Sequence, residues 1–238
     1  IERYAFGKYV EFAGKVEGIT AKPTKSTIME AILTGSNYLD DNFVPPDGRY
    51  LYVTSEMLKL VKLSPEWVGV EALAKEALSK GVVGEIDGMM VVKVPTSYLP
   101  ENCYFLIARS EAIMRPKKLQ TLKIHKEPPG IDGWKMEGRF YYDAFVVGAK
   151  AHAVYAAVLS TSKQATPSLS SGALTSTGAT KIWYTADGTD PRYSTSRVQI
   201  STGGAITGLD AGTYTIKAVA FKDGGFTSDV LETEYTAS

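Results

Sequence analysis

The chain has 238 residues, enough for one large domain or two ordinary ones, and its 44% apolar and 22% charged residues exclude a disordered chain. Basic and acidic residues balance at 26 each, so no net field draws the chain onto DNA or anionic lipid, although a basic face can hide within neutral totals. The single cysteine, Cys103, rules out an intrachain disulfide and a cysteine-based zinc site.

No apolar run approaches the roughly 20 residues of a membrane-spanning helix. The opening Ile-Glu-Arg-Tyr-Ala-Phe lacks the ordered basic and apolar regions of a signal peptide. Because the first residue is Ile1 and not Met, an upstream segment is expected.

In chain order, the spacing of Ile28, Ile32, Leu33 and Leu39 predicts a helix over residues 26–42, capped by Thr24 or Ser26. Pro45-Pro46-Asp47-Gly48 breaks the chain, and residues 49–54 read as a strand rich in aromatic and branched side chains. Ser55 caps a short helix through Leu63. A second helix is expected over residues 70–80, with Leu73, Ala74, Ala77 and Leu78 on one side and Gly81 as its stop. Residues 82–86 and 89–94 flank Asp87-Gly88, the pair that supplies positive φ angles to a tight hairpin turn. Residues 104–108 form an apolar run, residues 119–125 alternate, and residues 140–158 are a long, mostly apolar stretch.

Composition changes near Ser160, after which Thr, Ser, Gly and Ala dominate. Residues 160–167 read as a short polar linker ending in Pro167. Beyond it, strands are predicted over 181–185, 198–201, 213–221 and 230–235, separated by turn signals at Asp187-Gly188, Gly203-Gly204, Asp210 to Gly212 and Asp223 to Gly225. Short strands at that spacing predict a β-sandwich. In residues 213–220, Tyr214, Ile216, Ala218 and Ala220 share one face opposite Thr215 and Lys217, the pattern of a half-buried strand.

Chemistry-bearing patterns are sparse. Of the two histidines, His125 reads as a solvated strand residue and His152 as a core or interface residue, and no Gly-x-Ser-x-Gly elbow or His-x-x-x-His spacing accompanies them. Cys103 has no basic neighbour in sequence to activate it, so it reads as a part-buried structural thiol. Asp187 and Asp190 can be imagined in a calcium loop or as a capped turn, and the turn explains the same residues with fewer carboxylates. The cluster Arg115, Lys117 and Lys118, with Lys123 and Lys126, suits either a solvated loop or contact with phosphate or an acidic neighbour. Trp183, Tyr184 and Tyr193 near the turns of the second unit can stack on sugars. Trp183 and Tyr184 are consecutive in a strand, so one of them must face inward. No catalytic, cofactor-binding or metal-binding residue emerges. The candidates for contact with a surface ligand are Trp183, Asp187, Asp190 and Tyr193.

Two resemblances extend this reading. The ordered set of a helix, Leu39 to Arg49, the strand 50–54, Gly81 to Pro95, Leu99-Pro100, Ala108 to Ile113 and Gly138 to Val147 resembles the C-terminal half of tailed-phage major capsid proteins of the Hong Kong type, over roughly residues 1–160. The resemblance implies that the N-terminal arm, extended loop and most of the spine helix of that family lie upstream of Ile1. Ile182 to Pro191, then Gly212 to Gly225, then Ser228 and Tyr235 resemble the immunoglobulin-like module at the C-terminus of chitobiase-type enzymes and on many surface proteins.

Together they imply an α+β capsid-type shell domain over residues 1–162, comprising an A-domain and part of a P-domain, and an all-β immunoglobulin-like sandwich over residues 163–238. They imply a non-enzymatic structural protein of a phage head, forming homo-oligomers as pentamers and hexamers, in the virion and, during assembly, the host cytoplasm. The sandwich is expected to project outward on its linker and to hold weakly to host-surface carbohydrate. Packaged DNA is expected to meet the chain only through weak non-specific contact, and no membrane is involved. The first domain alone is expected to be a monomer. The rival readings are a bacterial surface or adhesion protein whose sandwich binds glycans, and the shell of a cellular nanocompartment.

Overall fold

The structure, a computed structural model, describes residues 1–64 and 82–237. The expected helix at residues 70–80 lies outside them. Helix α1 (Glu2–Glu11) leads to β1 (Lys15–Ile19), α2 (Ile28–Asp41), β2 (Arg49–Thr54) and α3 (Ser55–Lys62). Then come β3 (Val82–Ile86), β4 (Met89–Val94), β5 (Cys103–Arg109), β6 (Ile113–Met114), β7 (Lys117–Lys126), β8 (Trp134–Tyr142), β9 (Phe145–Val146) and β10 (Val154–Leu159). The C-terminal part contains β11 (Ser168–Ser170), β12 (Ala173–Thr175), β13 (Lys181–Thr185), β14 (Val198–Ile200), β15 (Gly204–Ala205), β16 (Gly212–Phe221) and β17 (Leu231–Ala237).

A six-stranded mixed sheet, in the order β1-β10-β5-β2-β4-β3, carries the main core. Its central strands β5 and β10 are buried along almost their whole length, as near-continuous apolar runs require when both faces are covered. Helices α1 and α2 supply that cover. On one face Gly35 of α2 lies against Ile107 and Tyr155, which are register partners. On the other face Phe6 of α1 meets Tyr52, with ring centroids 5.2 Å apart. The two faces follow from the pairing, because Tyr52 is opposite Leu106, one residue from Ile107.

The core stripe of α2 is Ile28, Met29, Ile32, Gly35, Ser36 and Leu39, a helical repeat that leaves Leu33 exposed, contrary to its expected place on the core face. Neither Thr24 nor Ser26 caps this helix. The Thr24 carbonyl instead accepts from the Thr27 and Ile28 N–H groups in a turn that hands the chain into it. Helix α3 is capped one residue earlier than predicted, by Thr54, whose hydroxyl accepts from the Met57 N–H at 3.4 Å. The β3–β4 hairpin turns on Asp87 and Gly88 with φ of 48° and 72°, as the Asp-Gly pair predicted. Ser36 donates to Asp87 Oδ2 at 2.6 Å and ties the hairpin tip to α2.

The apolar stretch 140–158 does not form one element. It divides into the end of β8, β9, a 3-10 segment at Gly148–Ala153, and β10, and only β10 is core throughout. His152 sits in the 3-10 segment and is exposed, not part of the core, because its neighbours Ala151 and Ala153 take the inward positions.

The C-terminal strands form a three-stranded sheet, β11-β12-β15, and a four-stranded sheet, β14-β13-β16-β17. Between them lies a second apolar cluster built on Leu174, Ile182, Tyr184, Ile206, Ile216, Ala218 and Ala220. Tyr184 faces inward and Trp183 outward. The half-buried pattern of β16 holds only for its first half. Val219 and Phe221, on the outer face beside Trp183, are buried as well. Phe226, beyond β16, joins the cluster of the six-stranded sheet.

Candidate functional site

The reason for that second burial is a seam between the sandwich and the end of α1. Arg192 is nearly fully buried and donates from Nη1 to the Ala13 carbonyl at 2.6 Å and to that of Gly14 at 3.3 Å. Its Nη2 also donates to the Asp190 carboxylate at 2.7 Å. A guanidinium suits this place because its planar fork can hold a carboxylate and two carbonyls at once. The Tyr193 hydroxyl donates to the Phe12 carbonyl at 2.5 Å, and its ring packs on Gly148. Burial pushes the Tyr193 phenol well above its ordinary range.

Trp183 stacks with Phe12 at 6.4 Å, packs at a tilt against Phe221 at 4.4 Å, donates to Gln199 Oε1 at 3.0 Å, and lies under the Arg197 guanidinium at 4.2 Å. Asp229 closes the far side of the seam, bonded to Lys15 at 3.2 Å and Lys163 at 2.6 Å. The segment expected to be a loose linker is part of the same joint. Phe226 N–H donates to the Ser162 carbonyl, Gln164 N–H to the Phe226 carbonyl, and the buried Gln164 side chain to Ser176 and Thr177. The sandwich is therefore docked against the end of α1 and the start of β1 at this seam.

This geometry decides what the four candidate ligand residues can do. Tyr193, Asp190 and Trp183 are occupied by the seam and its flank, since their polar atoms already have partners within the chain. Asp187 is exposed but closes its own turn, accepting from the Thr189 N–H at 3.0 Å, the Thr189 hydroxyl at 2.5 Å and the Ser196 hydroxyl at 2.6 Å. The Ser196 and Thr189 hydrogen bonds hold its carboxyl down at about 2. Residues 187–191 are thus a capped turn. Among the described residues no cluster of three or more His, Cys, Asp and Glu side chains could hold a metal ion.

Burial is the main reason the Cys103 thiol is pushed up to about 12, with its Sγ 3.7 Å from the Phe105 carbonyl. Thiol reagents at mildly alkaline pH are expected to leave the folded chain unlabelled. Labelling should appear only through the unfolding transition, as read by mass spectrometry across a urea series. His125 lies 3.5 Å from Glu137 on an exposed strand.

The second feature is a ribbon formed by β7 and β8, exposed over nearly all its length. Register places Leu122, Ile124, Met136 and Phe140 on one face with Trp134. Each of these side chains is more than half exposed. Gly138, opposite Leu122, leaves room for the Phe140 ring, whose Cε2 would stand 3.4 Å from a Cβ at that position. The opposite face carries Thr121, Lys123, His125, Lys135, Glu137 and Arg139, with the exposed Tyr141. The basic cluster of the sequence thus divides. Arg115 pairs with Glu2 at the ribbon base, and Lys117, Lys118, Lys123 and Lys126 line β7.

Comparison with known proteins agrees with this architecture. Residues 173–235 match the family model described as Fn3 associated. Among curated proteins none matches the chain. Among solved structures, the chain is similar to one of Mycobacterium phage Che8, with 16% identity, a TM-score of 0.52, and coverage of 65% of this chain and 56% of that one. It is also similar to one in the capsid structure of the cyanophage P-SCSP1u, with 14% identity, a TM-score of 0.51, and coverage of 66% and 59%. The chain thus spans less than two thirds of the length of each. It shares the fold of these phage structures over about two thirds of its own length, and its C-terminal part is a β-sandwich.

Proposed function

We propose that the protein is a structural, non-enzymatic subunit of a phage head, built as a shell domain over residues 1–162 and a sandwich domain over residues 163–238. It meets its own copies in rings of five and six, and its working location is the virion. The single observation that carries this reading is the one-sided apolar face of the β7–β8 ribbon. A two-stranded ribbon is at best marginally stable alone, and a contiguous apolar face of this kind marks a surface that another layer covers. The balanced net charge suits a subunit packed at high density among its own copies.

The sandwich serves as a fixed part of the subunit. Weak attachment to host-surface carbohydrate, if the sandwich provides it, falls to faces other than the seam that occupies Trp183, Asp190 and Tyr193. Particles containing packaged DNA distinguish a phage head from a cellular nanocompartment of the same fold.

The test is a Leu122→Lys, Ile124→Glu double variant of the complete gene product. Its side chains are solvent-facing, so the variant is expected to fold with an unchanged melting temperature but to sediment as small species under conditions in which the unaltered protein forms particles. Particles at unaltered yield would refute the assignment of the ribbon.

The seam carries a prediction about acid. The Asp229 carboxyl is pushed up by burial, but the Lys163 and Lys15 ammonium groups outweigh that and hold it below its ordinary value. A group whose folded pKa is depressed contributes stability above its unfolded pKa and loses it as pH falls through the folded one. Urea midpoints should therefore drop between neutral pH and pH values below the ordinary carboxylate range. Asp229→Asn should lower the neutral midpoint and flatten that dependence.

A further inference from the structure

Phe43 is the most exposed large apolar residue described, at 94%, and it stands in a left-handed conformation with φ of 56°. Its position explains the backbone. At the end of α2, Phe43 N–H donates to the Asp40 carbonyl at 2.9 Å and Val44 N–H to the Leu39 carbonyl at 3.0 Å, the paired bonds of a Schellman cap. The left-handed residue of that cap is ordinarily glycine, and a bulky side chain there is strained. The loop holds it firmly nonetheless. Val44 is buried, and the buried Arg49 donates to the carbonyls of Val44 and Pro45 and to the Asp40 carboxylate. A rigid loop thus presents a phenyl ring to solvent at a cost in monomer stability. It is flanked by the exposed Asp41 and Asp47, the Asp47 carbonyl accepting from the Arg109 guanidinium at 3.0 Å.

A groove of about 660 Å³ lies between α1 and the turn after β16. Tyr4, Phe221 and Phe226 give it aromatic walls, and its lining is net basic, with Arg3, Lys8, Lys181 and Lys222 against Glu11 and Asp223, the Lys181 ammonium lying over the Trp183 and Phe221 rings. Lys8, also in the lining, is neutralised by Glu11 at 2.7 Å. The knob and the groove sit at opposite ends of the shell sheet. The Phe43 loop adjoins the Arg109 end of β5 through Gly48 and Ser110, whereas Pro100 of the groove adjoins the Cys103 end. Six residue steps of strand separate those ends, about 20 Å. The Phe43 loop therefore cannot reach the groove of its own copy, while it can reach that of a second copy. Contact between two different patches of identical subunits is heterologous, and when the rotation closes it generates rings.

We infer that the acidic Phe43 loop of one copy seats in the basic, aromatic groove beside α1 of the next, as a head-to-tail contact within the ring. The contact rests on the assembly reading above, and charge complementarity and the strained, solvent-facing ring select its occupant. The ring is the anchor, and Asp41 and Asp47 meet Lys181, Lys222 and Arg3 at the rim.

The test uses the complete gene product carrying Asp41→Cys and Lys222→Cys, treated with a short bismaleimide. The native Cys103 is buried and does not compete. The double variant is expected to give a denaturing-gel ladder from covalent dimers up to pentamers or hexamers, and each single variant is expected to remain monomeric. Phe43→Gly provides a second readout, because it relieves the cap while removing the anchor. Its melting temperature should rise by a few degrees, and its critical concentration for assembly should rise roughly tenfold or more. Particles that form without a ladder, and with unchanged assembly of Phe43→Gly, would overturn the contact and leave the assembly reading standing. Failure of the unaltered protein to assemble at all would overturn both.

Discussion

Arg192→Ala is expected to lose about 3 kcal/mol of stability and to split a single unfolding transition into two. The substitution removes charge-assisted hydrogen bonds, each worth roughly 1.5–3 kcal/mol, and leaves the Ala13 and Gly14 carbonyls and the Asp190 carboxylate without their common donor. The loss falls at the one place where the end of α1, the start of β1 and the loop after β13 meet, so the sandwich should uncouple from the shell sheet. Differential scanning calorimetry reads both effects. Arg192→Lys should recover only part of the loss, because an ammonium cannot bond a carboxylate and two carbonyls in the geometry of the fork. A variant that unfolds in one transition at the unaltered temperature would show that the seam contributes no coupling.

Gly14→Ala should be comparably severe, at about 3 kcal/mol, toward the upper end for overpacking. A Cβ at Gly14 would stand 2.3 Å from the Ala151 carbonyl oxygen, 2.6 Å from its carbon and 2.8 Å from the His152 Cα. All three are backbone atoms, and the Gly14 N–H donates to the same Ala151 carbonyl at 3.1 Å, so neither segment can retreat without breaking that bond. Gly7→Ala is the control. It lies within α1 with nothing within 4 Å of its added Cβ, and should stabilise by roughly 0.5–1 kcal/mol through helix propensity. Chemical denaturation of the two variants side by side separates crowding from a general effect of losing glycine.

Elements with a strong local signal were readable in the sequence. Residues 28–41 repeat their apolar positions at helical spacing, Asp87-Gly88 demands a tight turn, and residues 181–185 and 213–221 are strand-forming runs bounded by turn signals. Helix α1 was not read, because Gly7 and a run of aromatics blur its apolar stripe of Ala5, Phe6, Tyr9 and Val10. Strands β11, β12 and β15 are two or three residues long, too short to show alternation.

The seam had no local signal at all. Arg192 and Tyr193 bond backbone carbonyls at positions 12–14, and a carbonyl acceptor carries no mark of residue type. Tyr193, Trp183 and Asp190 stand out in the sequence as polar and aromatic groups near turns, which is also what a ligand site looks like in sequence, whereas Arg192 does not stand out at all. Only the packing of Phe12, Phe221 and Phe226 reveals that a protein surface occupies them. The alternation of β7 was legible, but the absence of a covering layer over Leu122 and Ile124 is a tertiary fact.

The claim on which the account rests is that this chain builds a closed shell with its own copies. Electron microscopy of the complete gene product, expressed alone and with its neighbouring head-assembly genes, tests it most directly. The account predicts shells of uniform diameter, with the sandwich seen as fixed density against each subunit. Monomers under both conditions, with the ribbon intact, would contradict it.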